Sequence, residues 1–436
     1  MEALIMAGQL ILGLTILVGV HELGHMLTAK WFGMRVEKFA IGFPPKVVSK
    51  QFGETEYMIG AIPLGGFVKI SGMVDESLDT EALSKEPEPY EFRAKPAWQR
   101  LIVMMGGIIV NVLTGILIFT IITYNYGESY LPASEARYGV LPNDLGKQMG
   151  FQAGDRIVKI NGQDFKNFDD VYDQDVLLSR GGYYTVERNG QLVDIKVPVD
   201  LMDHMADKGD ARFVETIFPF EVGQVVAQEN AAKAGLQPGD KFVSVNGQPT
   251  PYFHTFQEAL KANAGKQVPM VVERKGQPET LNVQVDQDGK IGFAPVPLLK
   301  FATKEYSLLE AVPAGTAQAF GIVTANIKGF GKIFRGEVSA SKSLSGPIGI
   351  AKVFGGQFQW LKFWSIVGML SMVLAFMNFL PIPALDGGHV MFLTYEIVSG
   401  RKPSDKFLEN AQKVGMVLLL GLMAFAIFND VFKMFM

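Results

Sequence analysis

His21, Glu22 and His25 stand in the pattern His-Glu-x-x-His, His21-Glu22-Leu23-Gly24-His25. On a helix the two imidazoles, four residues apart, share one face and can grip a single Zn2+. Glu22 follows His21 directly and can take a proton from an attacking water. A zinc site that performs chemistry uses three protein ligands and leaves one position open. The chain has no cysteine, which removes thiolate ligands, disulfides and cysteine nucleophiles together. Beyond the motif the histidines are His204, His254 and His389. The stretch from Asn378 to His389, Asn-Phe-Leu-Pro-Ile-Pro-Ala-Leu-Asp-Gly-Gly-His, offers two candidates for the third ligand, Asp386 and His389. Spacing leaves both open, and Asp386 is the first ionisable residue after Lys362. Patterns for serine chemistry (Gly-x-Ser-x-Gly) and intramembrane aspartate chemistry (Gly-x-Gly-Asp) are absent.

The elements that must carry these residues are apolar. Charged residues make up 19% of the 436-residue chain, below the roughly 25% of an ordinary soluble protein. Residues 3–29 hold no ionisable group outside the motif, and 101–123, 363–385 and 414–428 hold none at all. These runs, the last prolonged by its apolar continuation to Asn429, approach the ~20 residues a helix needs to cross hydrocarbon. Four spans follow. Two imidazoles and a carboxylate inside a spanning helix would each be costly without a function. A cleaved leader is not expected, because the first span lacks a basic start and begins with Glu2. Pro381, Pro383, Gly387 and Gly388 are expected to interrupt the third helix and free backbone groups near Asp386.

Lys30, Arg35, Lys38, Arg93, Lys95 and Arg100 flank the loop between the first two spans, and Arg401, Lys402, Lys406 and Lys413 that between the last two. These loops therefore face the cytoplasm, the termini and the long central segment the other side. The net charge of −4, without basic clusters among aromatics, gives no support for nucleic acid as a partner.

The central segment contains a repeat. Gly150-Phe-Gln-Ala-Gly-Asp-Arg-Ile-Val-Lys-Ile-Asn-Gly-Gln163 returns as Gly235-Leu-Gln-Pro-Gly-Asp-Lys-Phe-Val-Ser-Val-Asn-Gly-Gln248, identical at eight of fourteen positions. The spacing predicts a Gly-Asp turn, a short strand and an Asn-Gly hairpin with positive φ, followed in each copy by two more strands. Both copies resemble PDZ domains of the bacterial protease type, which implies an open sheet edge able to accept a peptide strand. Residues 57–70 are apolar but short, and Pro63-Leu-Gly-Gly66 predicts a re-entrant β-hairpin lying against protein or a water-filled cavity. Residues 74–95 are acidic and Pro-rich and read as a surface loop; residues 305–334 read as interfacial helices.

Together, the His-Glu-x-x-His motif in the first span, the Pro-Leu-Gly-Gly hairpin, Ser345-Gly-Pro-Ile348 and Asn378–His389 resemble the site-2 protease family of intramembrane metalloproteases, most closely the bacterial regulator-of-sigma-E protease type, over nearly the whole chain. The resemblance implies a polytopic α-helical membrane protein with four transmembrane helices, a membrane-associated β-hairpin and two tandem PDZ-like domains. Its parts would be 1–125 with spans at about 3–29 and 101–123, PDZ-like domains at 127–214 and 215–297, interfacial helices at 298–357, and the last two spans at 358–436. It implies zinc held by His21, His25 and Asp386, Glu22 as general base, and Asn378 as a residue that holds substrate. The hairpin, with Gly65 and Gly66, would pair with substrate as an added strand. It further implies a bacterial inner-membrane enzyme with its zinc toward the cytoplasm and its PDZ-like domains on the periplasmic side. Its substrates would be single-span proteins, anti-sigma factors or signal-peptide remnants, first trimmed by a site-1 type protease. One departure is visible: Gly107-Ile-Ile-Val-Asn111 stands where members often carry Gly-Pro-x-x-Asn, so the second span should be straighter. The rival expectations are a membrane-tethered PDZ module without catalysis and a metal transporter, both of which leave a complete hydrolytic motif without purpose.

Overall fold

Long apolar helices and groups of short strands alternate because the hydropathy pattern switches from unbroken runs to short segments punctuated by glycine. The computed structural model describes residues 2–73, 86–177, 181–198, 201, 212–335 and 346–435. It divides into two units, Met1–Gly127 with Glu305–Met436, and Glu128–Lys304. Of the acidic loop expected at 74–95, residues 74–85 lie outside the described residues, as does Ser345.

In the first unit, helix α1 (Glu2–Trp31) precedes strands β1 (Val36–Phe52) and β2 (Thr55–Ile70), and helix α2 (Ala97–Tyr126) follows. Helices α3 (Leu308–Phe334), α4 (Pro347–Phe354), α5 (Trp360–Phe379), α6 (Asp386–Ser399) and α7 (Asp405–Phe435) complete it. Among the described residues four stretches are long and apolar enough to cross a membrane: Glu2–Trp31, Ala97–Tyr126, Trp360–Phe379 and Lys406–Phe432. Apolar side chains such as Leu113 and Leu117 on α2 and Val417, Leu420 and Phe428 on α7 point away from the protein. Such a surface suits hydrocarbon and would be unfavourable in water.

Glycine sets the spacing of the first two spans. An added Cβ at Gly24 would strike the Gly106 carbonyl, and one at Gly106 would sit 2.6 Å from the Gly24 carbonyl oxygen and from Thr28 Oγ1. Close backbone approach of this kind is the usual packing device between helices in lipid, where burial of apolar surface drives nothing. Ser371 on α5 donates its hydroxyl to the Asn111 carbonyl on α2 at 2.8 Å, which ties the third span to the second. Segment 305–334, expected at the interface, contains one continuous helix, α3, which runs beside α2 with Gly315 against the Thr120 backbone and Phe330 against Phe376 of α5.

The hairpin is wider than 57–70 suggested. Its turn is at Gly53 and Glu54, and β1 and β2 together cover Val36–Ile70. The first half of β1 lies between the two halves of β2: Phe39 stands opposite both Val68 and Tyr57, Ala40 opposite both Phe67 and Met58. Pro63-Leu64-Gly65-Gly66 does turn the chain, but it carries β2 across the end of β1 rather than closing a hairpin of its own arms. An added Cβ at Gly65 would strike the Phe43 ring, and one at Gly66 would sit 2.6 Å from the Ala40 carbonyl oxygen. Gly66–Ile70 is left as a sheet edge.

The second unit repeats one small β architecture. Strand Arg156–Ile160 pairs with Tyr183–Arg188, which pairs with Gln191–Lys196; in the second copy Lys241–Val245 pairs with Gln267–Arg274, which pairs with Gln277–Gln284. Asn161-Gly162 and Asn246-Gly247 both have positive φ, as the hairpin pattern requires. The duplication extends further than the fourteen-residue match. Val186-Glu-Arg-Asn-Gly-Gln191 and Val272-Glu-Arg-Lys-Gly-Gln277 are equivalent, and each Arg grips the Asp of its Gly-Asp turn. Arg188 bonds Asp155 and the Gly150 carbonyl; Arg274 bonds Asp240 at 2.7 Å and the Gly235 carbonyl at 2.9 Å. Both aspartates are buried, and a bidentate guanidinium satisfies them in the geometry that favours such pairs. Each copy has its own core, around Phe151, Tyr184 and Phe213 in the first and Phe220, Phe242 and Phe256 in the second.

Candidate metal centre

The third helix breaks where the prolines demand it. Helix α5 ends at Phe379, Leu380–Leu385 cross as irregular chain, and Asp386 opens α6 in its first turn. Ala384 takes φ of +77°, an uncommon conformation for a residue with a side chain and one found at constrained sites. Gly387 and Gly388 were expected to interrupt the helix; instead they lie inside α6. Their lack of side chains admits the Leu380 and Ile382 carbonyls against its first turn, where a Cβ at either would clash. That packing holds Asp386 toward α1.

His21 Nε2 lies 3.2 Å from Asp386 Oδ2, His25 Nε2 lies 3.3 Å from the same oxygen, and the two Nε2 atoms are 3.3 Å apart. Tetrahedral zinc with bonds of about 2.0–2.1 Å places neighbouring donors about 3.3 Å apart. The two-nitrogen, one-oxygen donor set thus has the spacing and chemistry of a zinc site. Asp386 Oδ2 is also buried and accepts no hydrogen bond among the described residues. Among those residues this trio is the one group of His and acidic side chains converging in this way. His389, the rival third ligand, is not a member of it; it lines the neighbouring wall of the cavity.

His25 Nδ1 is 2.8 Å from the Val103 carbonyl and donates its proton there, which leaves the Nε2 lone pair facing Asp386. Gly107 makes the approach possible, since a Cβ there would lie 2.5 Å from His21 Cε1 and His25 Nε2. Asn378 Nδ2 is 3.2 Å from His21 Nε2, and Asn111 Nδ2 is 3.2 Å from His21 Nδ1. Glu22 follows His21 on α1, and its carboxylate faces the backbone of Val68 on the edge of β2. Gly66 passes beside Glu22 Cγ, close enough that a Cβ would reach it at 3.4 Å. A cavity of about 640 Å³ opens over the centre, bounded by His21, Glu22, His25, Asn378, Asp386 and the edge Gly66–Ile70. Lys38 and Lys69, opposite each other on β1 and β2, also face it. This is room for an extended segment of peptide beside three convergent donors, a carboxylate and an amide.

Sequence reasoning placed His21, Glu22, His25, Asn378, Asp386 and Gly66 at one centre, and all six border this cavity. Gly65 supports the crossing of β2 and does not border it. Three further residues had no site role in the sequence reading, although Gly107 and Asn111 end its Gly-x-x-x-Asn stretch. Gly106 and Gly107 set the depth to which α1 meets α2, and Asn111 touches His21. Their signal was present: adjacent glycines and an amide within a charge-free span.

The sequence profile of peptidase family M50 matches residues 9–422. The chain is 30% identical to the regulator of sigma-E protease of Salmonella typhimurium over 96% of its own length and 97% of that protein. The corresponding protease of Escherichia coli is equally similar, at 30% identity over 96% of this chain and 97% of the relative. A putative zinc metalloprotease of Neisseria meningitidis is 28% identical over 97% of this chain and 98% of its own.

Proposed function

Because this chain belongs to peptidase family M50 and is a membrane metalloendopeptidase of the site-2 protease type, we propose that His21, His25 and Asp386 hold its zinc and that Glu22 is its general base. The observation that carries this reading is the triangle of donor atoms, with sides of 3.2, 3.3 and 3.3 Å. When bound, zinc supplies a Lewis acid that polarises the scissile carbonyl and activates water. The rest is done by the chain. Glu22 takes the water's proton and returns it to the departing amine. The Asn378 amide, beside His21, donates to the substrate carbonyl and orients it. The carbonyl of Val103 holds the His25 ring in the tautomer a ligand needs.

Regulated intramembrane proteolysis is the process in which this enzyme class acts, and its substrates here are single-span membrane proteins. A helix in lipid has every amide paired internally, so hydrolysis requires local unwinding, and the freed groups need partners. The outer edge Gly66–Ile70 borders the cavity and is suited to accept the unwound segment as an added strand. Relatives named as regulators of sigma-E are in keeping with anti-sigma factors as substrates; prior trimming by a separate protease, and signal-peptide remnants as a further class, belong to the same proposal. The lysine and arginine bias supports a centre toward the cytoplasm and two PDZ-like copies in the periplasm of a bacterial inner-membrane protein. There the copies exclude untrimmed substrates. A tethered PDZ-like binding module without catalysis would have no use for the donor triangle beside a carboxylate.

The test is metal removal. Purified protein reconstituted with a single-span model substrate should lose cleavage on exhaustive chelation and regain it with added zinc. Cleavage that persists after the metal is gone would defeat the proposal.

A further inference from the structure

Asn111 is fully buried, and its side-chain Oδ1 has no hydrogen-bond partner among the described residues. Its Nδ2 faces His21 Nδ1 at 3.2 Å. Its backbone carbonyl is anchored by the Ser371 hydroxyl at 2.8 Å. Gly107, one helical turn earlier on the same face of α2, lies against the same imidazole. The residue is therefore fixed in place, and what remains free is which end of its amide meets the histidine.

Resting on the reading of His21 as a ligand, we propose that Asn111 is a positioning residue that sets the tautomer of His21 for the metal. A histidine that gives its Nε2 lone pair to a cation carries its proton on Nδ1, and a buried Nδ1–H needs an acceptor. With Nδ2 toward the ring, two donors would face each other. The two ends of an amide are nearly the same size, so turning it over brings Oδ1 to Nδ1 without altering the packing. Oδ1 then accepts from Nδ1–H, and the Nε2 lone pair points at Asp386 Oδ2 and His25 Nε2. In the orientation shown, Oδ1 meets no donor among the described residues, so nothing at that end of the amide holds it there. Val103 performs the same service for His25 through its carbonyl, so α2 orients both imidazoles of α1.

Substitution separates this role from packing. Asn111→Asp keeps an acceptor against Nδ1, whereas Asn111→Leu keeps the volume and removes it. Full-length protein in detergent, stripped of metal, is titrated with zinc against a competing chromogenic chelator, and the metal-free thermal midpoint is recorded alongside. Asn111→Leu should weaken zinc binding by roughly 10–100-fold, while Asn111→Asp should bind as tightly as the parent or more tightly. In the zinc-loaded parent protein, the 15N signals of His21 should read Nδ1 as protonated and Nε2 as the bound nitrogen, a result that does not depend on any variant folding. Equal losses in the two variants, undiminished affinity in Asn111→Leu, or a proton on Nε2 would overturn the proposal. A His21→Ala control that binds zinc as the parent does would overturn the ligand reading beneath it.

Discussion

Asp386 and His389 are one helical turn apart, and only the first reaches the two motif histidines. The loop carbonyls packed on Gly387 and Gly388 fix the start of α6, and that start aims Asp386 at α1 while His389 lines the cavity beyond. Asp386→Ala should therefore lower the zinc retained through purification to a small fraction of the parent's, whereas His389→Ala should retain it. Metal analysis of the two variants checks this, and the reverse order would reassign the ligand. The sequence carried the two histidines and Glu22 outright, since their spacing is itself the geometry on a helix. Spacing alone left Asp386 and His389 both open, and the family resemblance was what favoured Asp386, because the choice turns on how two carbonyls pack on two glycines.

The site's depth is set by elements. Gly24 and Gly106 let α1 and α2 meet backbone to backbone, and Gly107 receives both imidazoles. Gly106→Val should force these helices apart at a cost of about 1–3 kcal/mol, lowering both the thermal midpoint and the affinity for zinc. The same substitution at Gly8, where no atom lies within 4 Å of an added Cβ, should change neither. Strand pairing was legible only in part. Pro63-Leu64-Gly65-Gly66 announced a turn, but the crossing of β2 over the end of β1 depends on Phe43 and Ala40 more than twenty residues away. In the repeated β unit the Asn-Gly turns were readable, whereas the Arg–Asp grip became visible only once the strands were paired. Burial pushes the Asp240 carboxyl up, but the Arg274 guanidinium and the Gln237 amide more than offset it and hold it below the usual carboxylate range. With a lowered folded-state value, its stabilisation is complete above the unfolded-state value of about 3.9 and is lost as pH falls through the folded-state value. Thermal melts from about pH 5 to about pH 3 should show a steeper loss for the parent than for Asp240→Asn.

At the scale of the whole molecule, the chain divides into a unit that carries the candidate metal centre and the four candidate spans, and a second unit of duplicated β structure. The metal centre draws only on the first. Deleting 128–304 should leave zinc binding intact and allow cleavage of untrimmed single-span substrates that the parent spares. If the deleted form still spares them, the second unit does not act as a filter. The division was legible from the repeat and from where the apolar runs stop. The path of α3 beside α2 was not, because its scattered Gly and Lys residues lower the hydropathy that marks a span while Gly315 makes the close approach possible. The central claim, that a carboxylate beside a histidine-aspartate zinc site hydrolyses a membrane-embedded peptide, is tested most directly by comparing the parent with Glu22→Gln. Both are reconstituted with one single-span substrate and measured for zinc content and cleavage rate. Equal zinc with cleavage slowed by roughly 10²–10⁴-fold is expected; cleavage at the parent's rate would contradict it.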